Sequence, residues 1–250
     1  MASKKYKKKM CAYCARSDLP TEREHVLARE FVLEGTPVKE WPCAPACRVC
    51  NGEKADLERY VTAAGSMAGR HQDARANLER NGERRLAKNP AIARGLNLRR
   101  GTSWVMEGGL LVRSVEVDFD WDQLERLCAL IARGLIWHHW KVVLDPECFV
   151  EVHRPLVGTL RRVFENFRGM RGTRLTGAIG GDTFTYQGAQ GMDNPQVTVW
   201  ELRIFGGLLC AGDPDGLVGV MTGPKRVRDR AELRSRWLKG TRLHRYENSI

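Results

Sequence analysis

The stretch that decides the fold runs from Cys11 to Tyr60 and reads CAYCARSDLPTEREHVLAREFVLEGTPVKEWPCAPACRVCNGEKADLERY. It contains two C-x-x-C pairs, Cys11 with Cys14 and Cys47 with Cys50. Two intervening residues let both thiolates of a tight turn face one ion, and a tetrahedral zinc needs four such ligands. The spacing therefore predicts one structural Zn²⁺ that joins the two ends of the stretch. The alternative, redox thiols, needs only one pair and usually opens a helix in a βαβ unit.

Glu24-His25 lies between the two cysteine pairs, and the segment NGEKAD, residues 51–56, follows the last cysteine. This combination resembles the HNH endonuclease family. In that family an acid-His pair ends one strand of a hairpin, and C-x-x-C-N-x-x-K-x-(H/N/D) opens a helix, in a ββα unit often braced by zinc. The resemblance covers about the first quarter of the chain. One feature departs from it, because Pro42 or Cys43 stands where the family usually has an Asn.

The resemblance implies a metal-dependent endonuclease that hydrolyses DNA phosphodiester bonds. His25 would be the general base, since a group with a pKa of about 6.5 can take a proton from water near neutral pH. Glu24 and Asp56 would hold a catalytic Mg²⁺ or Mn²⁺, because carboxylate oxygens are hard ligands that suit these ions. Asn51 would belong to the same catalytic site.

Alternatives for these roles stay open. Asp56 is also expected as a helix-surface acid that pairs with Arg59 or Lys54, and in that case Glu58 or Glu53 would be the second ligand. His25 is alternatively a surface histidine and Asn51 a helix N-cap. Five basic residues near the site are candidate phosphate contacts: Lys7, Lys8, Lys9, Arg23 and Lys54.

The charge balance favours a polyanionic partner. The chain has 41 Lys and Arg against 30 Asp and Glu, a net charge of +11. Basic chains with clustered charge commonly bind nucleic acid. Duplex DNA is the expected partner, with RNA as a second candidate and a homodimer as an open alternative. The rival function is a zinc-dependent nucleic-acid-binding protein without catalysis.

The expected location is the cytoplasm. No apolar run approaches the roughly 20 residues of a membrane span. The basic start, MASKKYKKKM, has no apolar stretch of the kind a signal peptide needs. A reducing compartment is consistent with four cysteines at metal spacing and four others in apolar surroundings.

The predicted fold class is α+β. Residues 1–65 are expected to form a zinc-braced ββα-metal module, 66–100 a basic helical connector broken near Asn89-Pro90, and 101–250 an α+β region with antiparallel strands. In that last region we predict a hairpin over 104–118, helices from about Trp121 to His139 and Pro155 to Phe167, and strands at TFTYQ, VTVWELRIF and LLCAG. The region would select substrate or partner. Three histidines there are expected to be interfacial or core residues: His138, His139 and His153.

Overall fold

The computed structural model of the chain describes residues 5–98, 100–107, 109–117, 119–154, 156, 158–169, 172–208 and 215–224. Helices and antiparallel sheets alternate along it, so the predicted α+β class is confirmed. The helices are α1 (Arg48–Ala64), α2 (Gln72–Lys88), α3 (Pro90–Leu98), α4 (Trp121–Trp140) and α5 (Gly158–Gly169). The strands are β1 (Thr21–His25), β2 (Cys43–Cys47), β3 (Arg100–Glu107), β4 (Leu110–Val117), β5 (Cys148–His153), β6 (Gly172–Ile179), β7 (Phe184–Gly191), β8 (Thr198–Ile204) and β9 (Leu217–Pro224).

A small hairpin and one helix make up the N-terminal region. β1 pairs with β2 in antiparallel register, from Thr21 opposite Cys47 to His25 opposite Cys43. Helix α1 follows β2 without a loop, because Cys47 is extended and serves as its N-cap. The helix starts at Arg48, so the second C-x-x-C pair forms the junction of strand and helix.

The connector is helical and breaks where the sequence predicts. α2 ends at Lys88 and α3 begins at Pro90, whose missing N–H costs nothing at a first helical position. Asn89 fills the gap and its side-chain amide donates to the carbonyl of Arg85 at 2.8 Å. At the other end, the His71 side chain accepts from the Asp73 N–H and caps α2.

The C-terminal sheet has five antiparallel strands in the order β5-β9-β8-β7-β6. Strands β7 and β8 were predicted, whereas β5, β6 and β9 were not. Glycines interrupt the side-chain alternation in β6 and β9, and they make room for rings: a Cβ on Gly177 would lie 2.2 Å from Tyr186. Of the predicted strand LLCAG, only Leu208 is described, and it bridges to Gly69. The basic run from Lys225 to Arg245 lies outside the described residues.

Helix α4 joins the N-terminal hairpin to the C-terminal sheet. Its predicted apolar face is fully buried, and it packs against β2, α1, β5 and β9. The approach to the hairpin is close at Gly134, where a Cβ would meet the Val26 side chain at 2.8 Å. One hydrophobic cluster includes residues from all three predicted regions, such as Leu57, Leu96 and Trp200. The boundaries at 65 and 100 stay a prediction.

None of the helices in the described part of the chain is both long enough and apolar enough to cross a membrane.

We predict that His139 makes the stability of the fold sensitive to acid. Burial and the neighbouring His138 lower the pKa of His139 to about 4, and its Nε2 lies 3.0 Å from the Tyr186 hydroxyl. An unfolded histidine has a pKa of about 6.5. Between these two values the unfolded chain binds a proton that the folded chain does not, so stability falls as pH falls from about 6.5 to about 4.

Urea denaturation at several pH values should therefore show a shallower acid loss of unfolding free energy in His139→Phe than in the wild type. Equal pH dependence in the two proteins would contradict a neutral His139 in the core.

Candidate functional site

The four predicted zinc ligands come together. The Sγ atoms of Cys11, Cys14, Cys47 and Cys50 all lie within 4.8 Å of one another, and those of Cys14 and Cys47 are 3.8 Å apart. A tetrahedron with Zn–S bonds of about 2.3 Å has edges of about 3.8 Å. The group therefore fits a structural metal ion such as zinc.

Backbone hydrogen bonds shape this cluster before any ion is bound. The Cys11 carbonyl accepts from the Ala15 N–H at 2.9 Å, and Ala15 adopts a left-handed φ of 59°. The Cys47 N–H donates to the Cys11 sulfur at 3.3 Å and so joins the two cysteine pairs. Burial and the nearby Cys11 sulfur raise the pKa of Cys50. Four thiolates at this distance need a cation to offset their repulsion.

A second polar cluster centres on Lys54, whose side chain is completely buried. Its Nζ donates to Glu24 Oε1 at 3.0 Å, to the His25 carbonyl at 2.8 Å and to Glu58 Oε1 at 2.5 Å. An ammonium has three protons, and all three are used here. The prediction that Lys54 contacts phosphate is wrong, because its ammonium is buried and fully engaged inside the protein.

Two carboxylates from different elements converge on that ammonium. Glu24 comes from β1 and Glu58 from α1, with 16% and 9% of their side chains exposed. Glu58 Oε1 also accepts from the Ala28 N–H at 2.8 Å. Burial, only partly offset by Lys54, raises the pKa of Glu58 to about 7. With its amide nitrogen toward the carboxylate, Asn51 donates to Glu24 Oε2 at 2.7 Å.

Asp56 is not part of this convergence. It is exposed and pairs with Arg59 at 2.9 Å, three residues along the helix. Two residues correspond to about 200° around a helix, so Asp56 faces away from the side that carries Lys54. The expected grouping of Glu24, His25 and Asp56 is corrected by this geometry. It matches the alternative in which Asp56 pairs with Arg59 and Glu58 supplies the second carboxylate.

The sequence did contain a signal for Glu58 as the second carboxylate. Lys54 and Glu58 are four residues apart, and residues at that spacing share one helix face. Among the residues that the structure describes, the four cysteines are the one group of three or more His, Cys, Asp or Glu whose ligand atoms converge. The second cluster consists of two acids and a lysine, and the backbone carbonyl of His25 is its third acceptor.

His25 ends β1 and is half-buried next to Trp41, with ring centroids 5.8 Å apart. Burial, and then the charges of Arg29, Arg23 and Lys54, lower its pKa below the usual value. The imidazole is therefore neutral at pH 7 and can accept a proton. Asn51 is not the helix N-cap, a position that Cys47 holds. Its amide instead faces Glu24.

The other predicted phosphate contacts lie on the surface around the hairpin. Lys7, Lys8 and Lys9 are exposed, and the Thr21 hydroxyl anchors this segment by donating to the Lys9 carbonyl at 3.0 Å. Arg23 is exposed and its Nε donates to the Cys43 sulfur at 3.2 Å. Cys43 thus positions the guanidinium of Arg23. Phosphate binding by these four residues stays a prediction.

A groove of about 880 Å³ lies between the segment 28–41, α1 and α2, and we call it the connector groove. Glu58 is in its wall, so the groove reaches the carboxylate cluster. Five cationic side chains line it: Arg29, Arg59, Arg84, Arg85 and Lys88. The sequence showed that the connector is basic, but not that Arg84, Arg85 and Lys88 of α2 line the same groove as Glu58.

Comparison with known proteins found no matching family model, no matching curated protein and no matching solved structure. The resemblance to HNH endonucleases therefore depends on the quoted motif residues.

We predict that removing one thiolate of the cysteine cluster releases the metal and destabilises the hairpin. Structural zinc contributes apparent binding energies of about 10–16 kcal/mol in small domains. A loss of only about 4 kcal/mol would lower the melting temperature by about 10 °C in a chain of this size. Cys50→Ser should show both changes, measured by zinc content and calorimetry. Cys148→Ser, a buried cysteine outside the cluster, is the control and should keep its zinc. Full zinc content in Cys50→Ser would contradict the assignment.

We also predict that Lys54→Met destabilises the fold by about 3–5 kcal/mol, because it leaves two buried carboxylates without their cation. Asp56→Ala, which breaks an exposed pair on the same helix, should cost no more than about 1 kcal/mol. Urea denaturation of the two zinc-loaded variants measures the difference. Equal losses would mean that Lys54 does not stabilise the cluster as its contacts indicate.

Proposed function

We propose that the chain is a metal-dependent endonuclease of the HNH type that hydrolyses phosphodiester bonds in DNA. The observation that carries this proposal is the convergence of Glu24 and Glu58 on the Lys54 ammonium, which also donates to the His25 carbonyl. A hairpin strand supplies Glu24 and His25, and the helix that follows the hairpin supplies Glu58. A cysteine cluster suited to zinc lies at the junction of hairpin and helix.

His25 acts as the general base in this proposal. It is neutral near pH 7 because burial and three nearby cations disfavour its protonated form. A positioned neutral imidazole can take the proton of an attacking water. Two contacts restrain the residue: its carbonyl accepts from Lys54, and its ring lies against Trp41.

Glu24 and Glu58 would hold the catalytic Mg²⁺ or Mn²⁺. The donor type fits, since each carboxylate has a second oxygen beyond the one that accepts from Lys54, and these ions prefer oxygen ligands. A divalent ion bound there would supply neutralisation of the charge that develops on the phosphate. Lys54 is a positioning residue in this scheme, because it fixes both acids and offsets one of their two charges.

The positive surface supports a nucleic-acid substrate. The exposed Lys7, Lys8, Lys9 and Arg23 lie on the hairpin side, and the connector groove adds further cations. Contacts of this kind bind the phosphate backbone without reading sequence. A reducing cytoplasm, expected from the sequence, would keep the four thiols available for zinc.

One observation favours a different function. Lys54 already places a positive charge between Glu24 and Glu58, where a catalytic cation would otherwise offset their repulsion. Pro42 or Cys43 also stands where the family has an Asn. A zinc-dependent nucleic-acid-binding protein without catalysis would show both features. A nuclease that acts on RNA is the other alternative.

We predict that the zinc-loaded protein nicks or cuts supercoiled plasmid in the presence of Mg²⁺ or Mn²⁺. His25→Ala and Glu58→Gln should lower the cleavage rate by at least about 100-fold, the usual lower bound for loss of a general base. Glu58→Gln keeps the shape of the side chain and removes its charge. Asp56→Asn is the matched control and should stay within about twofold of the wild type, because Asp56 faces away from the site. Circular dichroism and zinc content confirm that each variant is folded.

Loss of cleavage in Asp56→Asn but not in Glu58→Gln would restore the first assignment of the second carboxylate. Absence of cleavage by the wild type with either ion, together with binding that weakens steeply as salt increases, would favour the non-catalytic alternative. A parallel assay with a structured RNA distinguishes the two nuclease substrates.

A further inference from the structure

We propose that the connector groove binds an unpaired nucleic-acid strand and leads it to the carboxylate cluster. The inference deepens the proposed function, since it names the form of the substrate. The groove itself lies largely outside the HNH-like segment, because α2 forms one of its walls.

The groove and the carboxylate cluster share a residue. Glu58 is in the groove wall, and its carboxylate accepts from the same ammonium as Glu24. Ala28, whose N–H donates to Glu58, lines the groove as well. A strand lying in the groove therefore passes next to Glu58, one of the two proposed catalytic acids.

The walls of the groove carry exposed positive charge on opposite sides. Arg29 is exposed on the 28–41 side, and Arg84 and Lys88 are exposed on the α2 side. Over the whole lining, five cationic side chains outnumber the three acids Glu30, Glu34 and Glu58. Among the lining residues, α2 contributes three cations and no acid, whereas the 28–41 side contributes Arg29 together with Glu30 and Glu34. The α2 wall is therefore the one that a phosphate backbone would follow.

The 28–41 segment and α2 meet along one side of the groove. Asn77 Nδ2 and Arg85 Nη2 both donate to the Glu30 carbonyl, at 2.9 and 3.0 Å, so the two walls are in hydrogen-bond contact there. Arg85 also donates to the Thr62 carbonyl of α1 at 3.3 Å. These contacts hold three segments together.

The lining also suits exposed bases. Trp41 is half-buried at the groove and presents an aromatic ring near His25. Asn81 and Asn89 add amide donors and acceptors on the α2 side. Proteins that bind single strands combine a positive groove with aromatic side chains on which bases stack. Trp41 and the cations of α2 together match that combination.

The test is a binding measurement on the full-length zinc-loaded protein without added divalent ion, so that cleavage does not enter. Fluorescence anisotropy would compare a labelled oligothymidylate, an oligouridylate and a DNA duplex of equal length over a range of salt. The variant Arg84→Gln/Lys88→Gln removes two groove charges. Arg75→Gln/Arg126→Gln removes two exposed charges outside the groove lining and is the matched control.

We expect single strands to bind more tightly than the duplex. The groove variant should bind them at least tenfold more weakly, with its salt dependence reduced by about 0.7 per lost phosphate contact. The control should change affinity less than threefold. Tighter binding of the oligouridylate would identify RNA as the preferred strand, and tighter binding of the oligothymidylate would identify DNA. Either result supports binding of a single strand in the groove.

Equal losses in the two double variants would overturn the proposal, because they would show a general effect of net charge. Duplex binding as tight as single-strand binding would overturn it too. Failure of the groove proposal is distinguishable from failure of the proposed function. If the groove variant binds normally but plasmid cleavage still depends on His25 and Glu58, only the groove proposal fails.

Discussion

The ammonium of Lys54 is the contact on which the candidate site depends. It is buried and it binds β1 through Glu24 and the His25 carbonyl, and α1 through Glu58. Through the Ala28 N–H, Glu58 extends the connection to the segment that follows β1. Removing charges from water is costly, and such a cluster is stable only when its geometry satisfies every donor. Here each proton of the ammonium has an acceptor, so the hairpin and the helix are fixed relative to each other.

The cysteine cluster fixes the opposite end of the same unit. Cys47 belongs to β2 and Cys50 to the first turn of α1, while Cys11 and Cys14 approach from the N-terminal side. A metal ion there would hold the junction of strand and helix, and Lys54 holds the helix against the end of β1. Helix α4 packs on this unit at Gly134 and carries it onto the C-terminal sheet. The connector groove lies beside this unit because Arg85 holds α2 next to α1.

Features set by local sequence were predictable. The spacing of the cysteines fixes which four can meet, Pro90 fixes where the connector breaks, and the apolar periodicity of residues 124–135 fixes the buried face of α4. Features set by tertiary contact were not. The motif placed Asp56 in the site, but which helical residues face β1 depends on where α1 begins and how it packs. Lys54 was expected to contact phosphate at the surface, and only the positions of Glu24 and Glu58 explain its burial.

Binding of a divalent ion by Glu24 and Glu58 is measured most directly by electron paramagnetic resonance, because free Mn²⁺ gives a strong signal that weakens on binding. Titration of Mn²⁺ into the zinc-loaded wild type and Asp56→Asn should remove one equivalent of free ion in each. Glu58→Gln, which keeps the hydrogen-bonding shape of the side chain, should remove almost none. The same uptake of Mn²⁺ by Glu58→Gln as by the wild type would contradict a metal site built on these two carboxylates.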